Sequence, residues 1–285
     1  MKIGLIDKYL DEWHANNLPT WLRDETDDIE EIYAYEMMPS PNDGGISGEQ
    51  WAKEHGAILC NSIDEVIEKS DVLIVLAPNY PEIHEELCDK PLRSGKLTYV
   101  DKTFAPDVEA AKRLVAKAKE HNTPMFTTSA LRFSTQLKAL NKENVATVSS
   151  RGPGPFEMYC IHQIEPSVVL MGNSPEAVMF IGTEEKPAYV IRFSGNKFVT
   201  CHQFGWEGKF DIAVGYSDGK KSVYTGECTD FFENFTTELV KFFKTGEPPV
   251  DYKDTLAVIA IRETLLKAKD TPGVWLETPD LSDQR

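Results

Sequence analysis

The sequence has no long apolar segment. Its purest apolar run, residues 72–77, is six residues long and is followed by Pro78. A membrane-spanning helix needs about 20 apolar residues, and the opening stretch, residues 1–7, is too short for a secretory signal peptide. We therefore expect neither a membrane partner nor export.

Cysteine is scarce, and its spacing shows no C-x-x-C pattern. The five cysteines are Cys60, Cys88, Cys160, Cys201 and Cys228. An odd number at wide spacings argues against a disulfide framework, so the sequence predicts a cytoplasmic protein. A zinc site from Cys160, His162, Cys201 and His202 is conceivable if the first two share one face of a strand. Their apolar neighbours make buried structural cysteines the better interpretation.

Basic residues are fewer than acidic residues. The chain has 30 Lys and Arg against 46 Asp and Glu, which gives a net charge of −16. This excess repels phosphate backbones and anionic lipid surfaces over about a Debye length. We therefore expect no nucleic-acid partner.

The first half of the chain alternates short apolar runs with amphipathic stretches, which is typical of βαβ units around a parallel sheet. The predicted strands cover residues 2–6, 29–35, 72–77, 97–100 and 124–127. Ser47 with Gln50 and Ser62 with Glu65 resemble helix capping boxes, and residues 106–120 form an amphipathic helix pattern. Residues 1–130 are thus predicted to form a Rossmann-like dinucleotide-binding domain.

The second half, residues 131–285, is predicted to be a different domain. Runs rich in β-formers cover residues 188–193, 198–204, 210–216 and 221–224, with turn residues between them. Helical patterns follow at residues 230–245 and 253–269. The fold class is therefore α/β, a Rossmann-like parallel-sheet domain followed by an α+β domain with a mostly antiparallel, open-faced sheet.

The glycine-rich turn of a dinucleotide-binding domain is missing. The three positions of G-x-G-x-x-G fall on Asp7, Tyr9 and Glu12, although glycine lets the backbone approach a pyrophosphate. The carboxylates of Asp7 and Glu12 put negative charge at this place. Ordinary cofactor binding by this turn is therefore not expected, whereas Glu36, after the second strand, suits a ribose hydroxyl and favours NAD over NADP.

Four short motifs follow predicted strands or lie further along the chain. They are Ala77-Pro78-Asn79, Asp101-Lys102-Thr103, Arg132-Phe133, and His162 with Glu165 three residues later. In their order and spacing they resemble the motifs of the glucose–fructose oxidoreductase / inositol dehydrogenase (Gfo/Idh/MocA) family of nicotinamide-dependent oxidoreductases. The resemblance covers nearly the whole chain, including the closing helices.

The resemblance implies NAD or NADP as cofactor and a sugar- or polyol-like hydroxyl or carbonyl as substrate. It implies that Lys102 and His162 are catalytic proton-handling residues, brought by the two domains to one groove. The remaining site residues are predicted to be Asp7, Glu36, Pro78 and Asn79 for the cofactor and Arg132 and Glu165 for the substrate. Two differences from the family pattern are Met158, where an aspartate normally precedes the histidine by four residues, and Thr103, where proline normally stands.

The sequence is compatible with three further expectations. A protein of the same architecture that has lost dinucleotide binding, and that serves as a ligand-binding or regulatory module, is the alternative function. Metal-dependent hydrolysis through His162 and Glu165 is a third possibility. A homodimer through the sheet of the second domain is predicted from the aromatic residues Phe193, Phe198, Phe204, Trp206 and Tyr216.

Overall fold

A computed structural model of the chain describes residues 1–219 and 222–281. The chain forms two compact units: the first contains Met1–Thr127 and Thr236–Asp251, and the second contains the rest of the described chain. The segment Thr236–Asp251 differs from the prediction, which divided the chain once, at residue 130. Phe242 in this segment packs edge-on against Phe126, with 5.0 Å between the ring centroids, and is wholly buried.

The first unit is built on a six-stranded parallel sheet. Its strands are β1 (Lys2–Asp7), β2 (Glu31–Glu36), β3 (Ile58–Leu59), β4 (Val72–Val75), β5 (Thr98–Val100) and β6 (Met125–Phe126), in the order β3-β2-β1-β4-β5-β6. Its helices are α1 (Trp13–Glu25), α2 (Gly48–Glu54), α3 (Ile63–Lys69), α4 (His84–Arg93) and α5 (Val108–Glu120). The Rossmann-like parallel sheet is thereby confirmed.

The predicted helix starts in this unit are confirmed. Ser47 caps α2 and Ser62 caps α3, each accepting a hydrogen bond from the backbone N–H three residues ahead. Every residue of β4 is buried, as expected for a central strand covered on both faces. The two-residue strand β3 was not predicted, because so short a run carries no period.

The second unit contains a seven-stranded mixed sheet. Its elements are α6 (Thr135–Lys138), β7 (Val145–Gly152), α7 (Phe156–Met171), β8 (Pro175–Phe180), β9 (Ala188–Phe193), β10 (Lys197–Gln203), β11 (Asp211–Tyr216), β12 (Val223–Glu227), the start of α8 (Phe231–Thr245), α9 (Tyr252–Ala268) and β13 (Leu276–Glu277). The strand order is β12-β11-β7-β10-β9-β8-β13. Only the pairing of β7 with β10 is parallel among the described strands of this sheet, so the mostly antiparallel sheet is confirmed. The predicted strand at residues 221–224 begins at Lys221, which lies outside the described residues.

The helix α7 corrects the expectation of a strand around Cys160 and His162. Its sequence is largely apolar with scattered polar residues, and eleven of its sixteen residues are buried against the sheet and α9. Such a run has little period by which a buried helix can be distinguished from a buried strand. On a helix, residues two apart do not share a face, so Cys160 and His162 point in different directions.

The aromatic face expected on the second sheet also needs correction. Phe193 is wholly buried in the core on the helix side, while Phe198 and Tyr216 are partly buried. Phe204 and Trp206 are 50% and 68% exposed and follow the end of β10. The outward positions of β7 are polar, namely Thr147, Ser149 and Arg151. The sheet therefore presents a mixed polar and apolar face.

Across the described part of the chain, no helix combines the length and the apolar character that crossing a bilayer requires.

Candidate active site

Lys102 lies at the carboxyl end of β5, in the first unit. Only 8% of the residue is exposed. The backbone N–H of Thr103 donates to the carbonyl oxygen of Pro78 at 3.3 Å, which joins this loop to the loop after the neighbouring strand β4. Burial lowers the pKa of Lys102, and the negative charges of Asp101 and Glu12 oppose that effect.

Asp101, beside Lys102, is held by two further side chains. One carboxylate oxygen accepts a hydrogen bond from the Tyr99 hydroxyl at 2.8 Å, and the other bonds to Nδ1 of His14. Burial by itself raises the pKa of Asp101, but the attraction and hydrogen bond of His14, the charge of Lys102 and the Tyr99 hydroxyl together lower it to about 2. The contact of His14 with Asp101 joins positions 87 residues apart, so it could not be found without the fold.

The imidazole of His84 fixes the two loops that flank Lys102. It is wholly buried, with Nε2 at 2.8 Å from the carbonyl oxygen of Leu76 and Nδ1 at 2.9 Å from that of Phe104. Because these carbonyls follow β4 and Lys102 respectively, the imidazole ties the ends of two adjacent strands together. It therefore helps to hold the backbone that carries Lys102.

The turn between β1 and α1 is lined by carboxyl groups. Asp7 is 1% exposed; Oδ1 accepts from the N–H of Lys8 at 2.6 Å, and Oδ2 has no hydrogen-bond partner. Burial, and then the charge of Glu12, raises the pKa of Asp7 well above its usual value. Glu12 is the N-cap residue of α1 and accepts from the N–H of Ala15 at 2.6 Å. Burial raises the pKa of Glu12 as well.

The remaining predicted cofactor residues lie along the same edge of the sheet. Glu36 ends β2, and its two oxygens accept from the N–H groups of Gly48 at 3.1 Å and Leu10 at 3.2 Å. Pro78 is buried and Asn79 is exposed in the loop after β4. All four predicted residues are thus at the carboxyl ends of parallel strands, where ligands bind in folds of this kind.

His162 lies on α7, in the second unit. Its Nδ1 is 2.7 Å from the hydroxyl of Ser129, and the ring packs edge-on against Tyr159 and Phe210, with centroid distances of 5.0 and 5.8 Å. Met158, one turn earlier, is 41% exposed. The imidazole is therefore oriented by the hydroxyl of Ser129, a residue that the sequence prediction did not include among the site residues.

Arg132 and Glu165 bind each other. Nε of Arg132 is 2.7 Å from Oε1 of Glu165, and its Nη2 is 2.8 Å from Oδ2 of Asp254 on α9. The Thr128 hydroxyl donates to the same oxygen of Glu165 at 2.9 Å. In this structure, the predicted substrate-binding pair forms a buried ion-pair network that joins α7 to α9.

Among the described residues, no group of three or more His, Cys, Asp or Glu side chains has the arrangement needed to hold a metal ion.

Residues 43–129 match a family model, GFO_IDH_MocA, whose description is "Oxidoreductase family, NAD-binding Rossmann fold". No curated protein matches the chain. The matched segment includes the loops after β4 and β5, with Pro78, Asn79 and Lys102.

Solved structures with the same fold cover almost the whole chain. Scyllo-inositol dehydrogenase from Lactobacillus casei, solved with NAD(H) and scyllo-inositol, superposes with a TM-score of 0.80 at 13% identity, covering 97% of this chain and 98% of that one. Myo-inositol 2-dehydrogenase from Lactobacillus plantarum gives 0.78 at 14% identity, covering 98% and 99%. The WlbA dehydrogenase from Bordetella pertussis, solved with NADH and UDP-GlcNAcA, gives 0.76 at 14% identity, covering 98% of each chain. At these identities the likeness establishes the shared fold.

Proposed function

We propose that this chain, which matches the Gfo/Idh/MocA family model over residues 43–129, is an NAD(P)-dependent oxidoreductase that acts on a hydroxyl or carbonyl group of a sugar- or polyol-like substrate. The observation that carries the proposal is a buried lysine with a lowered pKa, Lys102, at the carboxyl end of a Rossmann strand. The family match and the inositol dehydrogenases of the same fold support the substrate class.

Oxidation of an alcohol requires the hydroxyl proton to leave, and reduction of a carbonyl requires a proton to arrive. The Nζ atom of Lys102 can do both, because burial brings its pKa down from that of an exposed lysine. Asp101 keeps a negative charge beside it, held by Tyr99 and His14. The charge of Asp101 raises the proton affinity of Lys102 and so opposes the effect of burial.

We further propose His162 as a second proton-handling residue, with Ser129 fixing the orientation of its ring. Arg132 and Glu165 bind each other, so we propose that they support substrate binding indirectly. They hold α7, the helix that carries His162, in place.

The residues of the β1–α1 turn do not fit the pyrophosphate of NAD(P) in the conformation described. The N–H groups of Leu10 and Ala15, near the start of α1, are bonded to the carboxylates of Glu36 and Glu12. The carboxyl groups of Asp7 and Glu12 in this turn also disfavour the negative charge of a pyrophosphate. When bound, a nicotinamide would supply the hydride chemistry, and the residues of this chain would handle the proton.

This turn favours a second candidate function. A chain of this fold without a pyrophosphate site is suited to sense or carry a polyol-like ligand without oxidising it. The same side chains would then bind the ligand, and no turnover would accompany binding.

We also propose a homodimer formed through the outward face of the seven-stranded sheet, and a cytoplasmic location. Thr200 lies at the middle of this face, on β10, between its register partners Ser149 on β7 and Val190 on β9. All five cysteines are free thiols, which suits a reducing compartment.

The test is a panel of inositols, linear polyols and aldoses, offered with NAD and NADP in the oxidising direction and, as ketones, with the reduced cofactors. We expect formation or consumption of reduced nicotinamide with one structural class of substrate. A ligand that raises the thermal midpoint of the protein without any turnover would instead support the second candidate function.

A further inference from the structure

The start of helix α1 is an anion-binding position by its geometry. The N–H groups of a helix's first turn have no partners within the helix, and the helix dipole favours negative charge there. In this chain a side chain of the same turn takes the place of a bound anion, because the carboxylate of Glu12 accepts a hydrogen bond from the N–H of Ala15 at 2.6 Å. The helix is thirteen residues long.

A second carboxylate reaches the same turn from β2. Oε2 of Glu36 accepts from the N–H of Leu10 at 3.2 Å, while Oε1 accepts from the N–H of Gly48 at the start of α2. A Cβ atom built at Gly48 would lie 2.4 Å from Oε1, so the backbone approaches this carboxylate closely. Glu36 therefore bridges the β1–α1 turn and α2.

The chain after β2 closes over the turn. The N–H groups of Met37 and Met38 donate to the carbonyl oxygens of Asp7 and Lys8 at 3.0 and 2.9 Å. Oδ2 of Asp11 accepts from the N–H of Ile46 at 3.2 Å. The backbone groups of the turn are thus bonded to residues 36–48 of the same unit.

The electrostatics of the turn oppose an added anion. Asp7 is buried beneath the turn, with one oxygen lacking a partner. Burial and the charge of Glu12 raise the pKa of Asp7, so the charged form of a group is already disfavoured at this place. The same two effects would disfavour a phosphate placed there.

We propose that the chain fills its own pyrophosphate position: the carboxylates of Glu12 and Glu36 hold the turn N–H groups that a dinucleotide would need, so the adenosine diphosphate part of NAD(P) binds only by displacing them. The choice of NAD(P) as the displaced ligand rests on the proposed function. The two carboxylates thus act as an internal competitor of the cofactor for these N–H groups, and we expect weak cofactor affinity as a consequence.

The experiment measures binding of ADP-ribose, which carries the adenosine and pyrophosphate but no nicotinamide. Trp13 follows Glu12 directly and is 51% exposed, so tryptophan fluorescence can report binding, with calorimetry as a second readout. Glu12→Gly removes the competing carboxylate and restores glycine. Glu12→Gln removes the charge but keeps an oxygen to cap the helix. Ser62→Gly is the matched control, because it removes the N-cap of α3 in the same unit.

We expect the Kd of ADP-ribose to fall about tenfold or more in Glu12→Gly, which corresponds to about 1.4 kcal/mol, and to fall less in Glu12→Gln. The Kd of Ser62→Gly should equal that of the wild-type protein. If Glu12→Gly fails to fold, the capped Glu12→Gln variant still decides the matter. Tight binding by the wild-type protein that neither variant improves would overturn the proposal, as would no binding by either variant at millimolar ADP-ribose.

Polyol turnover measured in parallel separates this proposal from the proposed function. Turnover by the wild-type protein with no gain of ADP-ribose affinity in the variants would reject the internal competitor and keep the oxidoreductase. A gain of ADP-ribose affinity with no turnover in any variant would support the internal competitor and reject the oxidoreductase.

Discussion

At the scale of single residues, the surroundings of Lys102 determine whether this lysine can exchange a proton near neutral pH. An amine in water is almost wholly protonated at neutral pH, and burial reduces the stability of the charged form of Lys102. The sequence placed this lysine after a strand, but its burial and its neighbours His14 and Tyr99 come from tertiary structure. Likewise, no local signal connects Ser129 to His162, because these residues are 33 positions apart.

Replacing Asp101 by Asn should shift the pH dependence of the reaction. The Asp101 charge raises the pKa of Lys102, so its removal lowers that pKa, and the unprotonated amine becomes available at lower pH. We expect the acidic limb of the kcat/KM profile for alcohol oxidation to move to lower pH. Asp107→Asn, at the N-cap of α5, is the control, with no expected shift. Movement of the limb to higher pH in Asp101→Asn would contradict the role assigned to Lys102.

At the scale of elements, the sequence predicted many of those with a clear period or cap, although it missed β7, which alternates between buried and exposed residues. The strands β1, β2, β4, β5 and β9 lie within two residues of their predicted bounds, because alternating or continuous apolar runs end at turn residues. The helix α7 was not predicted as a helix, since buried residues on most of its sides leave it little amphipathic period. The exposure of its His162 and Met158 could therefore not be assigned from sequence.

The ion-pair network of Arg132 should contribute strongly to the stability of the second unit. Its partners Glu165 and Asp254 have side-chain exposures of 5% and 23%, and Arg132→Met would leave both carboxylates without their cation. Loss of one partner of a buried pair typically costs about 3–5 kcal/mol, which chemical denaturation would measure. The control is Arg192→Met, whose pair with Glu176 is more exposed and should cost less than about 1 kcal/mol. Equal losses of unfolding free energy in the two variants would show that the Arg132 network contributes no more to stability than an exposed ion pair.

At the scale of the whole molecule, composition and strand pattern were sufficient to predict the two sheets and their different pairing. They did not predict that residues 236–251 belong to the first unit, because the packing of Phe242 against Phe126 joins positions far apart in the chain. The outward face of the second sheet was predicted to be more apolar than it is, since a strand pattern does not say which of its two faces a helix covers.

The proposed dimer can be tested at the middle of that outward face. Thr200→Glu places a charge on β10, and two copies of the sheet facing each other would bring like charges together. We expect light scattering to give a dimer mass for the wild-type protein and a monomer mass for the variant. The matched control is Thr183→Glu, in the loop before β9. This variant should remain a dimer. A wild-type protein that is monomeric at all concentrations would reject the dimer.

The most direct test of the oxidoreductase is kcat/KM for the best polyol substrate in wild-type protein, Lys102→Met and Lys117→Met. The last replaces a partly buried lysine of α5 in the same unit and serves as the control. We predict a loss of about 10²–10⁴-fold for Lys102→Met, with an unchanged circular dichroism spectrum, and near wild-type values for Lys117→Met. Wild-type turnover in the Lys102→Met protein would contradict the account.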